Sequence, residues 1–110
     1  AAEEPLPAWL QALAARAAVR ERLAKAFPDE GNRALFLRAL AVVAPRRTVS
    51  MAALAAHLGV PPRRLPGLVA TGQEVVNVDG YAVLQVKRPS MDVTLNEALL
   101  RQQFGVTDDG

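Results

Sequence analysis

Asn77-Val78-Asp79-Gly80-Tyr81 is the stretch on which the reading of this chain turns. Asn and the Asp-Gly pair supply turn chemistry, because Asn tolerates positive φ and Gly adopts it without a Cβ clash. The residues before it recur at helical period, and those after it, Tyr81 to Val86, alternate as a strand does. The stretch reads as the corner where a helix hands over to a β-hairpin. Asn77, Asp79 and Gly80 are its expected structural turn residues, with Gly80 at positive φ.

Downstream, Lys87-Arg88-Pro89-Ser90 makes a turn or wing, and Met91, Val93 and Leu95 form a second alternating strand. Asn96 is an N-cap for a last helix. Leu95 before the cap and Leu100 after it make a hydrophobic staple, and Glu97 suits the positive end of the helix dipole. Gly105 stops that helix, with Val106 placed for a Schellman closure onto Leu100. Thr107 to Gly110 read as a frayed tail.

Upstream, Pro61-Pro62 opens the helix that leads to the corner. Leu65, Leu68, Val69, Gly72 and Val76 share one face of it. Pro66 removes a backbone donor and Gly67 and Gly72 lower helix propensity, so this helix is expected to be kinked or short. Before it, Ser50 caps a helix carrying Met51, Leu54, Ala55 and Leu58 on one stripe, and Gly59 ends it. Thr48-Val49 reads as a very short strand. Phe36, Ala39, Leu40 and Val43 follow the helical i, i+3, i+4, i+7 pattern behind an Asp29 cap, in a helix closed by Pro45. Trp9, Leu10, Leu13 and Ala17 recur helically, and Val19, Leu23, Ala26 and Phe27 do so on a rotated face. Two short helices meeting near Ala15 to Ala18 fit this best, with Pro7 at the start and Pro28 at the end.

The order helix, short strand, helix, helix, hairpin is that of a winged helix. The expected fold is mainly α with a small β-hairpin (α+β): a winged-helix-like domain with extra N-terminal helices and a C-terminal helix. It forms a single domain over 6–106, preceded by a flexible lead-in at 1–5 and followed by a tail at 107–110. Its core is expected to be Phe36, Leu40, Leu54, Leu58, Leu65, Leu68, Leu84 and Leu95.

At 110 residues and 51% hydrophobic, the chain has the size and apolar content of one packed domain, not of a disordered segment. It has no cysteine, which excludes disulfides and thiolate metal sites. Its longest apolar runs fall well short of a bilayer span, and no charged-then-apolar leader is visible, so no membrane role and a cytoplasmic location are expected. A net charge of +2, from 13 basic and 11 acidic residues, permits a basic patch without demanding one.

No constellation for catalysis emerges. His57, the single histidine, lies off its helix stripe with no partner at ligand spacing, and reads as a surface residue. Asp79 reads as a turn residue that bonds local backbone, since no Ser, His or Lys constellation surrounds it. There is no P-loop and no G-x-S-x-G elbow. No catalytic residue, metal, cofactor or small-molecule ligand is therefore expected. Three basic pairs remain: Arg46-Arg47 in a loop, Arg63-Arg64 in the first turn of the would-be recognition helix, and Lys87-Arg88 in the wing. Together they are candidate contacts to nucleic-acid phosphates. The exposed face of that helix, Arg63, Gly67, Ala70 and Glu74, offers few groups to read base edges.

Asn77 to Leu84 and Leu99 to Gly105, with the lead-in Leu6-Pro7-Ala8-Trp9-Leu10, resemble the C-terminal region of the PglZ proteins of BREX phage-defence systems. The resemblance implies a domain excised from a longer chain that carries an alkaline-phosphatase-superfamily domain upstream. The metal-binding Asp and His residues of that upstream domain have no counterpart here, so no catalytic residue is carried over. What the resemblance implies is a docking or structural module. Its partner would be the upstream domain of its own protein or another protein of the defence complex. The alternative is a DNA-binding module with weak, sequence-nonspecific backbone contacts.

Overall fold

A computed structural model of the chain describes residues 6–77 and 80–106. The expected lead-in at 1–5, the tail at 107–110 and the turn residue Asp79 lie outside them. Among the described residues the chain forms α1 (Ala8–Ala15), α2 (Ala17–Ala26), α3 (Glu30–Arg46), β1 (Thr48–Ser50) and α4 (Met51–Leu58). A 3-10 turn (Pro62–Arg64) then leads into α5 (Leu65–Val76), β2 (Leu84–Lys87), β3 (Asp92–Leu95) and α6 (Glu97–Gln103). The architecture is mainly α with a small β region. The β region is more than a hairpin: β1 pairs antiparallel with β3, giving a three-stranded sheet in the order β1-β3-β2.

The first two helices are separate because Arg16 leaves the helical region, at φ −63° and ψ 133°. Pro7 precedes α1 as its N-cap and is not its first residue. The Asp29 carboxylate accepts from the Asn32 N–H at 3.0 Å and starts α3. Pro45 does not close α3, contrary to the sequence expectation. Pro45 forfeits only its own bond to the preceding turn, and the Arg47 N–H still reaches the Val43 carbonyl at 2.7 Å. The helix therefore runs to Arg46, so Arg46 is helical and is not in a loop. Arg47 then breaks it at φ 65°.

Ser50 Oγ accepts from the Ala53 N–H at 3.1 Å and caps α4. Gly59, at φ 70°, ends it in a Schellman closure, with Val60 N–H bonding the Ala55 carbonyl at 3.1 Å. The same closure ends α6: Val106 N–H bonds Arg101 O at 2.8 Å and Gly105 N–H bonds Gln102 O at 3.3 Å. Asn96 Oδ1 caps the start of α6 through the Leu99 N–H, at 3.0 Å.

α5 corrects the expectation of a kinked or short helix. It runs unbroken for 12 residues. Pro66 lies in its first turn, where a missing N–H leaves no bond unmade. Gly72 is buried against Phe36, and an added Cβ there would overlap the Phe36 ring. The glycine thus lets α5 approach α3 closely. Phe36 in turn stacks on Phe27, with ring centroids 5.3 Å apart.

All eight residues expected in the core are buried, Leu54 and Leu65 completely. They join one apolar cluster that also takes in Leu10, Leu13, Leu23 and Leu100. The N-terminal helices and the last helix are thereby part of the same core. Arg16 Nη2 also donates to the Gly105 carbonyl at 2.6 Å, tying α6 to the α1–α2 junction. Arg101 pairs with Glu97 at 3.0 Å and lies over the Trp9 ring at 5.3 Å.

Candidate interaction surfaces

The helix-to-hairpin corner is held by a side chain. Gly80 has φ 79°, the left-handed value expected of it. Asn77, by contrast, has φ −86°, so positive φ is not its contribution. Its amide reaches across the corner. Oδ1 accepts from the N–H groups of Val83 at 3.0 Å and Leu84 at 2.8 Å, and Nδ2 donates to the Leu84 carbonyl at 3.0 Å. Gln73, one helical turn earlier, donates to the same carbonyl at 3.0 Å. The strand consequently begins at Leu84 and not at Tyr81. Tyr81 is left 52% exposed, the exposed large hydrophobic residue of the described surface.

The sheet has two unlike faces. Val49, Val93, Leu84 and Leu95 turn inward and are buried. On the other face Thr48, Thr94 and Gln85 form one cross-strand row, and Ser50, Asp92 and Lys87 the next. An open groove of about 1140 Å³ runs over the first row, between the end of α3 and α6, with Arg47, Asn96 and Gln102 on its walls. Sequence reading missed this groove. The alternation of Thr94 with Val93 and Leu95 signals a solvated face, but nothing local announces that α6 folds beside it.

The six basic residues singled out in the sequence do not gather into one patch. Arg64 Nη2 donates to Asn32 Oδ1 at 2.6 Å, which fixes Arg64 beside the start of α3. Arg46 lies at the end of that helix, roughly 21 Å away at 1.5 Å per residue, and its Nη1 donates to the Val42 carbonyl at 2.7 Å. Arg63 and Arg64 belong to the 3-10 turn and not to the first turn of α5. Lys87 is the last residue of β2, and the hairpin turn occupies 88–91. That turn adjoins the opposite end of β1 from Arg47, since the Met51 N–H bonds the Met91 carbonyl. Arg47, Arg63, Lys87 and Arg88 are exposed, and their side chains make no hydrogen bond or ion pair among the described residues.

The outward face of α5 carries Pro66, Gly67, Ala70 and Glu74, all exposed. α2 packs along this helix, and Arg22 Nη1 donates to the Glu74 carbonyl at 3.4 Å. His57 is exposed on α4. Among the described residues no cluster of three or more His, Cys, Asp or Glu is placed to hold a metal, and no helix is long and apolar enough to cross a membrane.

These features describe a small helical domain with a three-stranded sheet, whose distinctive surfaces are a grooved polar sheet face and a sparsely decorated helix. The particular family follows from the sequence match: residues 3–105 fit the family described as the BREX system PglZ C-terminal domain, and the chain belongs to that family. It is thus a domain of a phage-defence protein, and it is the C-terminal domain of that protein and not its phosphatase-like catalytic domain. No curated protein and no solved structure matches the chain.

Proposed function

We propose that this domain is a non-catalytic docking module of winged-helix type, working in the cytoplasm. It docks against the upstream phosphatase-like domain of its own PglZ protein or against other proteins of the defence complex. The element order α3-β1-α4-α5-β2-β3 supports the winged-helix reading. The observation that carries the docking reading is the character of α5. In a DNA-reading winged helix, this helix enters the major groove and presents long polar side chains to base edges. Here its outward face holds a proline, a glycine, an alanine and one acid, and α2 lies along its flank. Such a face suits contact with protein better than contact with phosphates.

The test is co-purification. The domain, used as bait, should retain the purified upstream region of its own protein or a purified partner of the defence complex, at physiological salt. Failure to retain any of them sinks the reading. A second reading, weak backbone binding to DNA, draws support from the four exposed basic side chains without partners among the described residues. A parallel titration against duplex DNA distinguishes the two.

A further inference from the structure

The two edges of the sheet are unequally protected. An exposed edge strand offers unpaired N–H and C=O groups as a template for another strand. On β2 that template is shortened, leaving only the N–H and C=O of Val86 turned outward without a bond among the described residues. The bond from Asn96 N–H to the Val83 carbonyl sets the pairing phase, so Leu84 turns its N–H and C=O away from β3. Both groups are taken by the Asn77 amide. The rest of that edge ends in Lys87, Arg88 and Pro89, residue types that discourage strand addition.

On β1 the template is open. Leu95 N–H bonds the Arg47 carbonyl at 2.9 Å, and Met51 N–H bonds the Met91 carbonyl at 3.1 Å. Residues 47, 49 and 51 therefore face β3, and the N–H groups of Thr48 and Ser50, with the Thr48 carbonyl, point away from it. Thr48 and Ser50 are both exposed. Beside them stands Arg47, an exposed cation whose side chain has no partner among the described residues, on the wall of the groove that Thr48 also lines.

We propose that the β1 edge is the seat of an extended acidic segment, added as a fourth strand, from the upstream region of the same protein. Three outward backbone groups match a strand and not a helix or a nucleic acid, and Arg47 selects for a carboxylate beside it. Three hydrogen bonds are too few to hold a free partner against the entropy of association. They suffice for a segment tethered to the domain, which meets the edge at high effective concentration. This rests on the docking reading and adds to the outward face of α5 a second surface for it.

The test compares amide hydrogen exchange in the full-length protein and in the 110-residue chain, whose apolar core closes on itself. The Thr48 and Ser50 amides should exchange at least about tenfold more slowly in the full-length protein. Arg47→Glu in the full-length protein should abolish that protection, and Arg47→Lys should retain it. Equal exchange of the two amides in both proteins overturns the edge proposal. If other surfaces of the domain become protected meanwhile, docking stands and only the edge falls. If no surface is protected, the edge proposal and docking onto the upstream region fall together, and docking onto another protein of the complex is decided by the co-purification. Protection that survives Arg47→Glu overturns the acidic occupant.

Discussion

The Asn77 side chain holds both backbone groups of Leu84, accepting from its N–H at 2.8 Å and donating to its carbonyl at 3.0 Å. One amide thus acts as a one-residue strand at the end of the β2 edge, and it ties the last turn of α5 to the start of the hairpin. A net hydrogen bond contributes roughly 0.5–1.5 kcal/mol, and a part-buried group left unsatisfied costs more. Asn77→Ala removes three such bonds, so a loss of about 2–3 kcal/mol is expected, with Gln73 still serving the Leu84 carbonyl. Asn77→Asp keeps the acceptor but sets a carboxylate against that carbonyl, and should recover only part of the loss. Urea denaturation of the three proteins checks this; an unchanged midpoint for Asn77→Ala refutes it.

Gly72 and Gly67 lie on the same helix and should respond with opposite sign. On helix propensity alone, Gly→Ala stabilises by about 1 kcal/mol. A Cβ at Gly67 meets nothing within 4 Å, so Gly67→Ala should realise most of that gain. A Cβ at Gly72 overlaps the buried Phe36 ring, so Gly72→Ala should destabilise, by about 1–3 kcal/mol as overpacking does. Thermal melts of both variants decide it. A stabilised Gly72→Ala protein means that α5 does not approach α3 as closely as described.

At Gly80 the demand is conformational and not steric, since its φ is 79° and a Cβ there would meet no atom within 4 Å. Left-handed backbone costs an L-residue about 1–2 kcal/mol, and a β-branched one more. Gly80→Val should therefore lower the melting temperature clearly, and Gly80→Asn much less. Equal melting temperatures for the two variants would remove the argument.

Much of this fold could be read from residues whose role is local. Asp29, Ser50 and Asn96 cap helices because a short side-chain oxygen reaches the N–H three residues on, and Gly59 and Gly105 end helices because the left-handed region is open to them. Each signal is complete within a few residues. The misreadings have two causes: at Pro45 and Pro66 the helix bounds lie elsewhere than spacing suggests, and at Gly72 and Asn77 tertiary placement decides what spacing cannot. Pro66 looks like an interior breaker until the 3-10 turn moves the start of α5 to Leu65. Gly72 looks like a weakness until Phe36 is seen against it. Asn77 looks like a residue chosen for its φ, while its work is done by an amide reaching Leu84, seven residues on. The candidate surface was legible only as a set of basic pairs. Their dispersal depends on α3 separating Arg64 from Arg46, which no spacing reports.

The dispersal bears on DNA. Non-specific affinity comes from phosphate contacts, each contributing nearly one unit to the salt slope, with dissociation constants on the order of 10⁻⁴–10⁻⁶ M at physiological salt. Arg64 is engaged with Asn32, and Arg46 with the Val42 carbonyl. Arg63 lies in the 3-10 turn after α4, and Lys87 and Arg88 lie at the hairpin turn beside the start of α4. Few of these side chains can therefore meet one backbone together, and any binding should be weak, salt-sensitive and indifferent to sequence. The double change Arg63→Ala with Arg64→Ala should lower the salt slope by about one unit and not two, because Arg64 is already committed within the domain. Fluorescence-anisotropy titrations on several unrelated duplexes at two salt concentrations measure both quantities. Tight binding to one duplex, kept at high salt and lost on base changes, would show that α5 reads DNA despite its bare outward face. Absence of binding at every salt concentration would leave the exposed arginines and lysine to protein contacts, as the docking reading requires.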